Sequence, residues 1–177
     1  MKHFGVLIFF FCSFQYALQA QTDKPSFLIG VNPSVTVEPF YERGEFDINV
    51  LPVVFQKRLA ERVDLRLTSI LNLGIRSERN QISHYGLEVA SPIFFKKNES
   101  IYSQGFYTAP IISLTQNRLE QHHNVGLWVE PGYQFYFEDK FSLSLGLQFG
   151  ATYFTYATQD DSWGSHFGVK VIFGRWF

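Results

Sequence analysis

Residues 141–153 run Phe-Ser-Leu-Ser-Leu-Gly-Leu-Gln-Phe-Gly-Ala-Thr-Tyr. The odd positions are Phe141, Leu143, Leu145, Leu147, Phe149, Ala151 and Tyr153. The even ones are Ser142, Ser144, Gly146, Gln148, Gly150 and Thr152. Successive side chains of a strand point to opposite faces, so this stretch presents one apolar face and one small, polar face. A strand built this way separates two different solvents.

Seven further segments carry the same period of two: Phe27–Glu38, Phe46–Phe55, Val63–Arg76, His84–Phe95, Gly105–Thr115, Val125–Phe137 and His166–Phe177. In Val63–Arg76 only Ser69 and Ile70 exchange faces. Gly105–Thr115 is the weakest, with apolar residues on both faces. The connections alternate in character, and Glu138-Asp139-Lys140 is very short. Eight antiparallel strands joined in sequence are the expectation.

Ahead of them, Lys2 and His3 precede an apolar run from Phe4 to Phe14, and Ala20 offers a small residue for cleavage. That pattern describes a secretory signal peptide over residues 1–20, with the remaining domain at 21–177. Cys12, the single cysteine, lies inside the signal, so the mature chain is expected to lack disulfides, a thiolate nucleophile and Cys-based metal sites. A formal net charge of -1 gives no basic surface for nucleic acid.

A soluble barrel also alternates, with its apolar face inward. Four features favour a membrane. The strands run to about 10–13 residues, which suits tilted spans. The polar face is rich in Gly, Ser, Thr and Asn rather than Lys and Glu. Aromatic residues are 18% of the chain and gather near strand ends, as at Phe94 and Phe95, Phe135 to Phe137, and Tyr153 to Tyr156. The last strand finishes on the aromatic Phe177.

With the signal peptide, eight alternating segments and Val169, Val171, Phe173 and Phe177 on one face, the sequence resembles the small eight-stranded outer-membrane barrels of Gram-negative bacteria, the OmpA/OmpX-like group. The resemblance is one of pattern over residues 26–177. It implies an all-β, eight-stranded, antiparallel up-and-down transmembrane barrel, monomeric, in the bacterial outer membrane with both termini periplasmic. Its partners would be outer-membrane lipids and, during biogenesis, the barrel-assembly machinery, which would read Phe173 and Phe177. Arg175 departs from the group's pattern, since an aromatic or apolar residue is usual there.

Pro33, Pro52, Pro92, Pro110 and Pro131 all fall inside expected strands, where proline cannot donate to the ladder. Local ladder defects are expected there. If the strands end at the prolines instead, a soluble β-sandwich is the alternative.

The inward-facing charges are Glu38, Asp47, Asp64, Arg66, Arg76, His84, Glu88, Glu130, His166 and Lys170. Eight strands enclose a space that side chains fill, so these should pair as a polar lumen network. The functional alternative is a gated pore or proton path. His84, His122, His123 and His166 are expected at the outer rim with Asp160 and Asp161, as solvated loop histidines rather than a metal site. No cofactor is expected. A hydrolase would need Ser beside His; Ser83–His84 and Ser165–His166 are sequence neighbours and so should face opposite ways. The expected role is non-enzymatic, structural or surface-binding. A narrow channel and a lipid-A-modifying enzyme are the rivals.

Overall fold

The computed structural model describes residues 27–36, 43–98, 102–118, 121–156 and 160–177. The expected signal segment, Cys12 and Glu38 lie outside them. Eleven strand segments occur: β1 Phe27–Val31, β2 Val35–Thr36, β3 Phe46–Asn49, β4 Val53–Arg58, β5 Asp64–Ile75, β6 Gln81–Ala90, β7 Ile93–Phe94, β8 Gly105–Asn117, β9 His122–Tyr136, β10 Phe141–Tyr156 and β11 Ser162–Trp176. Three pairs of them (β1/β2, β3/β4, β6/β7) are single wall strands split in two, so the eleven segments make eight walls. Each is antiparallel to its neighbours, and β1 closes the barrel against β11 from Leu28↔Trp176 to Val31↔Phe173. The β-sandwich alternative is thereby excluded. Phe177 N–H donates to the Phe27 carbonyl at 2.8 Å, so both ends of the described chain meet at the end carrying the tight turns.

The apolar face is the outer one. Leu147 is 45% exposed and its neighbour Gln148 only 6%. Leu145, Phe149, Phe167, Val169 and Phe173 share the exposed face, while Ser142, Ser144 and Lys170 are buried within. Gly105–Thr115 alternated poorly for a reason visible inside the barrel. There Tyr107, Ala109 and Ile111 pack with Ala90 and Phe94 in a small internal apolar cluster.

The expected continuous strands Phe27–Glu38, Phe46–Phe55 and His84–Phe95 are corrected to pairs of shorter segments, split at Pro33, Pro52 and Pro92. The breaks at Pro33 and Pro52 oppose one another across the ladder, and the break at Pro92 lies opposite Pro110 in an unbroken strand. Asn32 N–H donates to the Pro52 carbonyl at 2.7 Å, and Ser91 N–H to the Pro110 carbonyl at 3.1 Å. Pro110 and Pro131 instead sit within unbroken β8 and β9, paired as Pro110↔Val129 and Thr108↔Pro131. Their missing donors are turned to the other side. Pairing of β9 with β10 lapses between Gly146↔Gly132 and Phe149↔Val129, beside Pro131. This is why the alternation keeps its phase across Pro131.

Ser69, the polar exception on the outer face of β5, mends the Pro52 break. Its hydroxyl donates to the Leu51 carbonyl and accepts from Val53 N–H at 3.1 Å. Asn49 works from the inner side, donating to the Ser69 carbonyl at 3.0 Å and accepting from Leu51 and Leu71 N–H. Val53 N–H also reaches the Leu51 carbonyl at 2.9 Å, so Ser69→Ala removes bonds without orphaning either group and is expected to destabilise the barrel by about 0.5–1.5 kcal/mol, read from guanidinium unfolding. A change near zero would mean that the gap needs no mending.

Candidate functional site

The lumen is built in tiers because each wall strand contributes every second side chain to it. At the turn end, Trp176 is fully buried with Leu28 and Ile172, and its indole N–H donates to Ser142 Oγ at 2.8 Å. Beside it Asp64, 0% exposed, accepts from Gln56 Nε2 (2.6 Å) and Ser103 Oγ (2.9 Å). Gln134 joins this tier, donating to the Ser103 carbonyl and accepting from Ser144 Oγ.

The next tier holds the fully buried pair Arg66–Glu130, with 2.7 Å between Nη2 and Oε1. Tyr107 OH donates to the same carboxylate oxygen at 2.7 Å, and Gln148 Nε2 donates to the other at 2.9 Å. Gly146 makes this possible: a Cβ there would come within 2.8–2.9 Å of the Glu130 side chain. Just above, Lys170 Nζ donates to both oxygens of Glu88, at 2.7 and 2.8 Å. Glu130 and Glu88 are thus each held by an opposite charge and by hydrogen bonds, the condition for keeping ions out of water, whereas Arg66 Nε and Nη1 have no hydrogen-bond partner in the protein.

Toward the loop end the lumen opens into a cavity of about 400 Å³. Its wall includes Asn32, Thr68, Trp128, Gln148 and Lys170. The His166 imidazole lies flat on Trp128, with ring centroids 3.6 Å apart. At the rim, Asp47 gathers Arg76 (2.8 Å), Ser83 Oγ (2.7 Å) and His84 Nδ1 (3.1 Å).

Of the expected lumen residues, Asp64, Arg66, Glu88, Glu130 and Lys170 occupy the two lower tiers, while Arg76 and His84 meet on Asp47 at the rim. Phe173 and Phe177 lie on the outer face, 50% and 54% exposed. Arg175 is also outward, its guanidinium 5.7 Å from the Phe141 ring centre and 5.8 Å from that of Phe177.

Two expectations are corrected. Ser83 and His84 do not face opposite ways, because β6 slips register against β5 between Asn72 and Leu73. That bulge turns both side chains onto Asp47. The rim histidines are not all solvated loop residues either. β9 begins at His122 rather than Val125, so His122 takes an inward position and is 2% exposed. His166 lies in the cavity wall, and of the four only His123 is exposed. Asp161 accepts from Tyr153 OH at 2.6 Å. Among the described residues no group of three or more His, Cys, Asp or Glu side chains is placed to hold a metal.

Gln56, Tyr107 and Trp176 were missed as lumen residues. Trp176 shares the parity of Lys170 and His166, a signal present in the sequence. Tyr107 sits where the alternation fails, and Gln56 follows a proline break. No family model matches the chain, and neither a curated protein nor a solved structure matches it.

Proposed function

We propose that the chain is an integral β-barrel protein of the bacterial outer membrane, related in kind to the small OmpA/OmpX-like barrels, with both termini in the periplasm. The observation that carries this reading is the apolar outer belt around a polar, charge-paired lumen, an inversion of the soluble barrel. The exposed aromatics near the turn end, Phe95, Phe106, Phe137 and Phe177, fit a membrane interface. Phe173 and Phe177, on the outer face of β11, are proposed as the signal for the barrel-assembly machinery, and outer-membrane lipids as the surrounding partners.

The role assigned is non-enzymatic and exercised at the loop end. The lower tiers fill the lumen with buried side chains cross-linked by the Arg66–Glu130 and Lys170–Glu88 pairs, which disfavours a channel. Ser83 donates to Asp47 rather than to His84, so the imidazole is not placed to take its proton. Folded chain should therefore migrate differently from boiled chain on a detergent gel, and planar bilayers containing it should show no stepwise conductance. Identical migration would argue against a closed barrel, and regular current steps would restore the channel.

A further inference from the structure

Among the described residues the closing seam is joined only at its turn end. β11 runs from Ser162 to Trp176 and pairs with β10 along nearly all of that length. On its other edge β1 accompanies it only over Phe173–Trp176. Beyond Val31, Pro33 breaks the strand, and β2 pairs with β3 instead. Among the described residues, nothing pairs with the β11 edge at the level of Asn32–Thr36.

The cavity runs into this gap. Its wall takes Asn32 and Ser34 from one side of the seam and Phe167 to Lys170 from the other. Phe167 and Val169 belong to the outer, lipid-type face, 68% and 63% exposed. The cavity therefore reaches the backbone edge of β11 over Phe167–Lys170, where β2 pairs with β3 and not with β11.

Two buried polar atoms point to an occupant. Asn32 and Thr68 are 5% and 1% exposed, and neither Asn32 Oδ1 nor Thr68 Oγ1 has a hydrogen-bond partner in the protein. Buried polar groups are normally satisfied, and an open sheet edge is tolerated at membrane depth only beside a polar cavity. The charges at the cavity floor, Glu88 and Lys170, cancel each other.

We infer that the loop-end cavity is a lateral binding site for an amphiphile with a net-neutral polar headgroup. The headgroup hydrogen-bonds to Asn32 and Thr68, and the alkyl chain leaves past Phe167 and Val169 into the bilayer. This rests on the membrane reading above. Cavity size agrees, since small-molecule sites begin at about 300 Å³.

The test uses the chain in phosphatidylglycerol vesicles, whose anionic lipid lacks the net-neutral headgroup, with Trp163→Phe removing the exposed indole. A lysophosphatidylcholine carrying a spin label near its headgroup is the probe, and the readout is quenching of Trp128 above the constant emission of Trp176, which is buried at the far, turn end. Saturable quenching is expected, with half-saturation raised about tenfold by Thr68→Val, the loss of one hydrogen bond to a bound group. Because the Thr68 hydroxyl bonds to nothing in the protein, Thr68→Val should leave unfolding unchanged or raise stability, which a structural role would not do. Unlabelled phosphocholine, a headgroup without a chain, should compete poorly. Quenching that does not saturate, binding indifferent to Thr68→Val, or equal competition by phosphocholine would each overturn the lateral site while leaving the membrane reading intact. A chain that enters no vesicle removes both.

Discussion

Arginine at Leu147 will lower the stability of the vesicle-inserted barrel by about 2–4 kcal/mol, whereas methionine there will cost far less. Leu147 and Gln148 share depth, backbone and neighbouring strands, and they differ in the solvent they meet. At Gln148, whose amide donates to both Glu88 and Glu130, arginine enters a polar interior and should cost about as much as methionine, because volume rather than charge decides. Reversible guanidinium unfolding in vesicles gives all four values. The opposite ranking, with arginine tolerated at 147 and ruinous at 148, would mean that the outer face meets water.

Glu130→Ala should be the most damaging single change in the lumen, at about 3–5 kcal/mol. It strips Arg66, 0% exposed, of its only bonded carboxylate among the described residues and leaves Tyr107 OH without its acceptor. Much of that loss comes from the charge left behind. The double variant Arg66→Met, Glu130→Leu should therefore recover most of it. Unfolding midpoints of the single and double variants check this. A double variant as weak as Glu130→Ala would show that the pair's shape, rather than its uncompensated charge, sets the cost.

Residues 141–153 made the wall legible because an exposed apolar face and a buried polar lumen impose opposite demands on adjacent residues. The same rule placed Arg66, Glu88, Glu130 and Lys170 on one inner face. It failed where a strand serves two purposes. β8 turns Ala109 and Ile111 inward to an apolar cluster, so both its faces look alike. At Ser83–His84 a one-residue bulge broke the parity on which the facing argument rested, and nothing local in the sequence announces it. Ser69 was visible as an exception, but its meaning depends on Pro52 lying opposite, a relation that only the register between β4 and β5 supplies. Which lumen groups bond which is likewise a matter of cross-barrel distance: Lys170 and Glu88 are 82 residues apart in sequence.

The uneven lengths of the wall strands also set an order in time. β8, β9, β10 and β11 pair in long registers between sequence neighbours, and the hairpin at 137–140 is tight. Such local pairing forms fast, since little chain entropy is lost in closing a short loop. β1, β2 and β3 are short, and the seam joins Phe27 to Phe177 across everything between. Closure is therefore the slowest and last event. Until it happens, the C-terminal four-strand sheet stands as a template with one bare edge, and the N-terminal strand, although made first, is the last to find its place.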